Sequence, residues 1–418
     1  MTRVLMLEAA GPEAYAVASA AAASDIEIHA VTTAEAFTAY PDDLRSRLAG
    51  HLFADLSRPD QALRDVVDHA RHIGIDGVLT TNEFLTPLVA RISAALGLPG
   101  NDPDLADAAR DKVAMAASFH REGVTTPRSR VVHLSDALLP GVDCPPFPCV
   151  VKPVDGAGSS GVTVVMNRRE AREALRALRG RTGMYGTPST PLALIQEYVT
   201  GVEYSVESMT QAGRNTHLCV TRKTVTGGAR RVEVGHGLPA SLQDGSADLV
   251  HEEVSRAIRA VGIRNGPSHA EVVLSPRGDR CVVLEIGARI GAGHIGVLIH
   301  HALGIDPWRA CLDLALGRPA ALASTRRRYA TARFITSPRA GRLRLLAGLP
   351  ERAPDVPVVR VRRQVGSIVA APEDNTARIA SFAVVGSDEG SVNRRAEEIL
   401  AAIRVEVDPL PHEPPGPT

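Results

Sequence analysis

The 418-residue sequence has little cysteine, no excess of charge of either sign and no long apolar run. Lys plus Arg and Asp plus Glu both number 47, which argues against a general nucleic-acid binder or a polybasic membrane-binding protein. The five cysteines are scattered, which argues against a disulfide framework or a cysteine zinc site and favours a reducing compartment. A signal-peptide pattern and a membrane-length apolar run are both missing. We therefore expect a cytoplasmic protein that binds neither nucleic acid nor membrane.

What the sequence does have is length and apolar content for several cores, since 44% of its residues are hydrophobic. At roughly 100–200 residues per domain, about two to four domains are expected. Strand-like runs at 4–7, 26–31 and 77–81 alternate with helical runs, which predicts a parallel sheet covered by helices. From Cys149 the pattern changes to strands and turns, and it ends with a helix at 391–403.

A lysine followed by a glycine- and serine-rich loop is the strongest local motif. Lys152 ends an apolar strand, the loop runs from Asp155 to Gly161, and a second strand follows. Glycines let successive backbone N–H groups point at an anion, and Ser159 and Ser160 add hydroxyl donors. The loop joins two strands and lacks Gly-Lys-Ser/Thr, which disfavours a P-loop. The motif predicts a phosphate site; a flexible hairpin with a solvated lysine is the alternative.

A second motif lies about forty residues further on. Gln196 and Glu197 are polar residues in a strand, and Glu203 begins the next strand after a short turn. Backbone groups at a strand edge can bond adenine, and a carboxylate can hold ribose hydroxyls. The motif suits a purine nucleoside, while an ordinary amphipathic hairpin remains the alternative.

Two glutamates on neighbouring apolar strands form a third motif. Glu271 and Glu285 flank a turn at 275–279, and Arg289 follows four residues after Glu285. Buried carboxylates are costly without partners, and ligands that are oxygen alone indicate Mg²⁺ or Mn²⁺. Arg289 can bind a phosphate or carboxylate with two hydrogen bonds. The alternative is a structural Glu–Arg salt bridge.

Two further features carry weaker signals. Glu233 and His236 stand three residues apart, but a lone histidine is more often a structural or surface residue. The lysine at 223 is expected to be a solvated strand residue.

These motifs, in this order, resemble the ATP-grasp superfamily over residues 5–405. The resemblance implies an α/β (α+β) protein with an ATP-grasp fold that binds ATP between two lobes. The implied units are an N-terminal Rossmann-like pre-ATP-grasp domain at 1–103, a small lobe with the phosphate loop at 104–188, a large lobe with the metal and substrate site at 189–324, a C-terminal α+β domain at 325–407 and a disordered tail at 408–418.

The resemblance also implies roles for the residues of the motifs. The residues expected to bind ATP are Lys112, Lys152, Asp155, Gly158, Ser159, Ser160, Gly161, Gln196, Glu197, Tyr198, Val199 and Glu203. Glu271 and Glu285 match the ligands of Mg²⁺ or Mn²⁺. Many members have an asparagine two residues after the second glutamate, where this sequence has Gly287.

Within the superfamily, residues 233–239 and 285–289 are similar to the L-amino-acid ligases, which make dipeptides. There the counterparts of Glu233, His236 and Arg289 line the amino-acid site. This implies an ADP-forming ligase that joins a small carboxylate and an amine, both expected to be amino acids, through an acyl phosphate. Glu233 or His236 is the expected base. Similar proteins are often homodimers, although this sequence shows no interface signal.

Two alternatives stay open. One is another ATP-grasp reaction, either a purine-pathway type of ligase or a carboxylase; the sequence has no Met-Lys-Met carrier motif for biotin. The other is a non-catalytic nucleotide-binding regulator, for which Gly287 is the sole support.

Overall fold

A computed structural model describes residues 1–135, 144–183, 189–243 and 245–410. Most of the predicted tail at 408–418 lies outside these ranges. In chain order the strands are β1 (Thr2–Leu7), β2 (Ile26–Thr32), β3 (Leu48–Phe53), β4 (Gly77–Thr80), β5 (Ser129–His133), β6 (Cys149–Pro153), β7 (Thr163–Val165), β8 (Leu192–Glu197), β9 (Val202–Gln211), β10 (Arg214–Val225), β11 (Glu233–Leu238), β12 (Gly266–Leu274), β13 (Cys281–Gly287), β14 (Tyr329–Thr336), β15 (Gly341–Ala347), β16 (Val358–Val361), β17 (Ile368–Val369), β18 (Arg378–Gly386) and β19 (Arg404–Asp408).

The α-helices lie between these strands in chain order. They are α1 (Gly11–Ala22), α2 (Ala34–Ala39), α3 (Asp42–Arg45), α4 (Pro59–Ile73), α5 (Thr86–Leu96), α6 (Lys112–Arg121), α7 (Arg168–Ala177), α8 (Ser246–Ala260), α9 (Ile295–Leu303), α10 (Pro307–Ala315) and α11 (Glu389–Ala402).

The N-terminal unit is a parallel sheet in the order β3-β2-β1-β4. Apolar clusters cover both faces, one with α1 and α10 and the other with α4 and α5. This agrees with the predicted alternation of strands and helices. The edge strand β3 was not predicted. Its residues alternate between half-buried and exposed, so the strand has only a weak apolar pattern.

An antiparallel sheet in the order β5-β8-β6-β7, together with α7, forms the smaller lobe. Strand β8 pairs with both β5 and β6. The boundary predicted at 188/189 is therefore wrong for this strand, which the prediction assigned to the large lobe. The preceding helix α6 also departs from the prediction, since its Phe119 and Met115 pack in the core of the larger lobe. This helix begins at Lys112 because the Asp111 side chain accepts the backbone N–H groups of its first turn.

The larger lobe is an eight-stranded antiparallel sheet in the order β13-β12-β9-β10-β11-β14-β18-β16. Its strands come from both sides of the boundary predicted at 324/325, because β11 pairs with β14. Beyond it, a small sheet in the order β17-β15-β19 packs with α11 around an apolar cluster. Strand β19 was not predicted, and it extends to Asp408, the first residue of the predicted tail.

All five cysteines lie in the described ranges and form no disulfide, and Cys149, Cys219 and Cys281 are buried. In the described ranges, no helix is both long enough and apolar enough to traverse a lipid bilayer.

Candidate active site

A cavity of about 1300 Å³, counting the space at its open mouth, lies between the smaller sheet and the eight-stranded sheet. One wall comes from β6, β7 and β8, and the other from β10 to β13. The structure brings most of the predicted site residues to this cavity; they are Lys112, Lys152, Gly158, Ser159, Ser160, Gln196, Glu197, Tyr198, Val199, Glu203, Glu233, His236, Glu271, Glu285 and Arg289.

Two predicted residues of the glycine-rich loop do not line the cavity. The Asp155 carboxylate instead accepts hydrogen bonds from the Ser189 hydroxyl at 2.7 Å and the Thr190 backbone N–H at 2.8 Å. Asp155 therefore anchors the base of the loop and stands away from the cavity. Gly161 backs against α7, where an added Cβ would lie 2.8 Å from the Leu178 side chain. Both residues shape the loop, and neither lines the cavity.

The middle of the loop has a backbone that favours anion binding. Gly158 and Ser159 both have φ near +61°, the left-handed region in which consecutive N–H groups can point to one side. The Ser160 hydroxyl accepts a hydrogen bond from Arg181 at 2.7 Å. Arg181 thus contributes positive charge behind the loop.

Two buried lysines lie beside this loop and near a single carboxylate. Lys112 Nζ donates to the Gly156 carbonyl at 2.8 Å and lies 3.4 Å from Glu285 Oε2, while Lys152 Nζ lies 3.9 Å from the same oxygen. Burial lowers the pKa of Lys152 to about 8, because desolvation outweighs the attraction of Glu285. Two cations facing one carboxylate leave positive charge for an anionic ligand.

Glu285 and Glu271 are cross-strand partners in the register of β12 and β13. Glu271 Oε1 lies 2.6 Å from Lys223 Nζ and 3.4 Å from His269 Nε2. Burial alone would raise the pKa of Glu271, but Lys223 and His269 outweigh it and hold the pKa well below its usual range. Behind them, Glu207 accepts from His269 at 2.8 Å and outweighs the effect of burial, raising the pKa of His269 to about 9.

The donor set of this region fits a hard divalent cation held jointly with a nucleotide. Among the described residues, no group of three or more His, Cys, Asp or Glu side chains is arranged to hold a metal ion. Mg²⁺ is usually held by one or two carboxylates together with substrate phosphates and water. Glu271 and Glu285 supply two such carboxylates next to the phosphate loop.

Lys223 is buried and not solvated, so the expectation for it was wrong. Its Nζ lies 2.5 Å from Glu233 Oε1 and 2.6 Å from Glu271 Oε1. These carboxylates outweigh the effect of burial and raise its pKa. The alternation along β10 could have located it, because Arg222 and Thr224 are exposed whereas Thr221 and Lys223 point inward.

Glu233 sits at the centre of a dense group of donors. Its Oε2 accepts from Arg378 at 2.9 Å and from Asn375 Nδ2 at 3.1 Å, and His236 Nε2 lies 3.5 Å away. Burial would raise the pKa of Glu233, yet Lys223 and these neighbours hold it well below its usual range. Asn375 and Arg378 belong to the C-terminal part of the chain and were not predicted.

His236 lies on β11 and is buried against the segment before α9. Its Nδ1 lies 3.0 Å from the carbonyl oxygen of Gly293, so this nitrogen carries a proton that it donates. The ring meets the edge of Phe334 at 5.2 Å between centroids. With Nδ1 protonated, Nε2 is the nitrogen that can accept a proton.

Arg289 pairs with a residue from the N-terminal unit. Its Nε and Nη2 donate to Glu83 Oε2 at 2.8 and 2.5 Å. The alternative pairing with Glu285, four residues away, is replaced by this contact. Glu83 had no signal in the sequence, because it lies in a short 3-10 helix of a different unit and belongs to no motif.

The nucleoside end of the cavity has its own polar pairs. The Gln196 amide donates to Ser129 at 2.7 Å, and Glu197 lies 3.2 Å from Arg128. The Glu203 carboxylate pairs with Arg231, which the sequence analysis did not single out. The carboxylate predicted to hold ribose is therefore oriented by a neighbouring arginine.

Comparisons with known proteins agree with this architecture. Models of the ATP-grasp N-terminal domain, the ATP-grasp domain and the L-amino acid ligase C-terminal domain 2 match residues 18–100, 145–297 and 333–408. The alanine–anticapsin ligase of Bacillus subtilis is 24% identical over 287 residues, which cover 64% of this chain and 60% of that protein. This chain thus matches less than two thirds of that relative's length.

Two solved structures share the fold over nearly the whole chain. An L-amino acid ligase from Bacillus licheniformis has a TM-score of 0.81 and 21% identity, covering 98% of this chain and 99% of its own. A phosphoribosylglycinamide synthetase from Anaerococcus prevotii has a TM-score of 0.72 and 19% identity, covering 97% and 100%.

The fold and the cavity define a member of the ATP-grasp superfamily. More narrowly, the chain carries the C-terminal domain of the L-amino acid ligases. This confirms the resemblance inferred from the sequence at both levels.

Proposed function

We propose that this protein is an ATP-dependent ligase that joins a carboxylate to an amine and releases ADP and phosphate. The observation that carries the proposal is the pair of buried lysines, Lys112 and Lys152, which face one carboxylate beside the glycine-rich loop. Such unbalanced positive charge suits the phosphates of ATP.

ATP would bind with its phosphates between this loop and the lysines. The segment from Gln196 to Val199 would hold adenine, and Glu203, oriented by Arg231, would accept hydrogen bonds from the ribose hydroxyls. Mg²⁺ held by Glu271 and Glu285 would supply positive charge that neutralises the phosphates during transfer. Positioning and charge neutralisation are the main requirements of phosphoryl transfer.

The acceptor carboxylate would lie against Arg289, whose orientation is fixed by Glu83. One carboxylate oxygen attacks the γ-phosphorus of ATP, a new O–P bond forms and the P–O bond to ADP breaks. The product is an acyl phosphate. The amine then attacks the acyl carbon, the C–O bond breaks and phosphate leaves.

The incoming amine must lose a proton during the second step. Glu233 is a poor candidate for this role, because its oxygens already accept from Lys223, Arg378 and Asn375 and its pKa is held low. His236 is the better candidate, since its Nδ1 donates to Gly293 whereas its buried Nε2, 3.5 Å from Glu233 Oε2, makes no hydrogen bond within the described residues. Glu233 would then orient the groups around the amine.

Amino acids are the proposed substrates on both sides of the bond. The support is the matching C-terminal domain of the L-amino acid ligases and the similarity to a ligase that acts on alanine and anticapsin. We also propose a cytoplasmic location, in keeping with five cysteines that form no disulfide in the described ranges.

Purified protein with ATP and Mg²⁺ would be tested against pairs of amino acids, with ADP, AMP and phosphate measured and condensed products identified by mass spectrometry. An amine-dependent release of ADP and phosphate with an amide product is expected. AMP and pyrophosphate would contradict the acyl phosphate. ATP turnover that requires bicarbonate, or a ribosylamine in place of an amino acid, would instead favour the other ATP-grasp reactions.

A further inference from the structure

A short segment of the C-terminal unit, Asp374–Arg378, reaches into the cavity; it is called the clasp below. It contains a 3-10 helix, Asn375–Ala377, that begins immediately after the Asp374 cap. Asn375 and Arg378 line the cavity, whereas Thr376 between them is exposed. The clasp is therefore positioned to act on the site although it belongs to the C-terminal part of the chain, where Arg378 begins β18 of the larger-lobe sheet.

Asn375 contacts two parts of the site at once. Its backbone N–H donates to the carbonyl of Gly158 in the phosphate loop at 3.3 Å. Its side chain forms a two-sided pair with Glu233: Nδ2 donates to Glu233 Oε2 at 3.1 Å, and Oδ1 accepts from the Glu233 backbone N–H at 3.2 Å. One residue thus bridges the ATP side and the amino-acid side of the cavity.

The neighbouring contacts reinforce this bridge. Arg378 donates to both the backbone carbonyl and the side chain of Glu233 at 2.9 Å, and its guanidinium lies over Phe334 at 3.8 Å. Just before the clasp, Glu373 lies 3.7 Å from Arg230, which itself donates to Thr163 in β7. The C-terminal part of the chain therefore reaches the smaller lobe directly at Gly158 and, through Arg230, at Thr163.

We propose that Asn375 is a positioning residue that couples closure of the phosphate loop to the placement of Glu233. This inference rests on the proposed ligase function. When the loop covers the phosphates, its Gly158 carbonyl engages the clasp, and the clasp in turn fixes Glu233 and the adjacent His236. The site is then complete only while water is excluded, which protects an acyl phosphate from hydrolysis.

Two substitutions at one position separate the halves of this bridge. Asn375→Ala removes both side-chain bonds to Glu233 but keeps the backbone bond to Gly158. Asn375→Pro also removes the N–H, and it is compatible with the local backbone because Asn375 is the first residue of its helix and Asp374 is extended, with φ −154° and ψ −175°. Thr376→Ala, at an exposed neighbour that bonds only to Asp374, is the matched control.

For each variant we would measure amide formed, phosphate released and the Kd for ADP. Asn375→Ala should lower kcat for amide formation by about tenfold, the factor for one lost hydrogen bond to an ionised group. It should leave the Kd for ADP near that of wild type and raise the ratio of phosphate to amide. Asn375→Pro should show the same rise in the ratio of phosphate to amide and, in addition, a Kd for ADP raised severalfold. Thr376→Ala should match wild type in all three.

Equal phosphate-to-amide ratios in Asn375→Ala and Thr376→Ala would overturn the coupling to Glu233. Equal ADP affinities in Asn375→Pro and Thr376→Ala would overturn the link to the loop. If wild type forms no amide with any pair of substrates, the proposed function fails. The ADP comparison still tests the loop contact in that case, because nucleotide binding needs no second substrate.

Discussion

The two ends of the cavity hold their charges in different ways. At the phosphate end, Lys112 and Lys152 lie 3.4 and 3.9 Å from Glu285. At the other end, which shares Glu271 with the proposed metal site, Lys223 lies 2.5 Å from Glu233 and 2.6 Å from Glu271. Both sets of lysines are buried, but only the second makes close ion pairs with two carboxylates.

The difference indicates which charges are available to ligands. A buried charge without a close partner carries a desolvation cost that a ligand can relieve, whereas a closely paired charge already has its partners. The phosphate end thus favours an incoming anion. The Lys223 end is fixed in advance and holds the surrounding side chains in place.

The largest expected effect comes from the carboxylate at the phosphate end. Glu285→Gln should reduce ligase turnover by about a thousandfold or more, because it removes charge from the proposed metal site and from the carboxylate that faces Lys112 and Lys152. Turnover would be measured at saturating ATP and Mg²⁺. Glu398→Gln, on an exposed face of α11, is the control and should retain full activity. Normal turnover in Glu285→Gln would show that the metal assignment is wrong.

At the closely paired end, Lys223→Met should destabilise the folded protein by about 3–5 kcal/mol. The reason is that Glu233 and Glu271 would remain buried without their shared cation. Urea unfolding followed by circular dichroism measures the change. A loss below about 1 kcal/mol would contradict the view that this cluster is structurally fixed.

Lys152→Met offers the sharpest contrast with the previous variant. Because burial already disfavours the charged form of Lys152, its removal should change the free energy of unfolding by less than about 1 kcal/mol. The affinity for ADP should nevertheless fall by about tenfold or more, since the variant loses a buried charge that we propose binds phosphate. A variant as unstable as Lys223→Met would erase the distinction between the two ends.

The smallest expected effect is on the pH dependence of folding stability. Burial, aided by His251, lowers the pKa of His217 to about 4 from its ordinary 6.5. Its neutral ring is bonded to Ser208 and Ser255 on the far side of β10. The unfolded chain therefore binds more protons between pH 6.5 and 4, and the stability that neutral His217 contributes above pH 6.5 is lost as pH falls through this window.

Unfolding free energies at pH 7.5 and 5.0 would test this expectation. His217→Gln should lower the pH dependence by at most about 1.4 kcal/mol per pH unit, the limit for one proton. An unchanged pH dependence of the unfolding free energy would show that the acid sensitivity arises from other groups, such as the cluster of Lys223, Glu233 and Glu271.

The sequence predicted those parts of the site that are contiguous along the chain. The glycine- and serine-rich loop after Lys152 predicted a phosphate site from its composition alone. The turn at 275–279 brings Glu271 opposite Glu285 in the register of the hairpin. The fold class followed from the same motifs through the family resemblance, and the comparisons confirm it.

The missed residues depend on contacts between distant segments. Glu83 meets Arg289 across 206 positions, and Asn375 meets Glu233 across 142. No local period or spacing encodes such pairs. Lys223 is an intermediate case, because its inward orientation follows from strand alternation but its two partners do not.

The continuous pairing of β11 with β14 has a consequence for protein engineering. The C-terminal domain contributes β14, β18 and β16 to the sheet that carries Glu233 and Glu271. Exchanging this domain between related ligases would transplant three strands into a foreign sheet, and the junction would run through backbone hydrogen bonds. Functional chimeras should therefore keep β11 and β14 from the same parent, with crossover points placed in loops outside that pair.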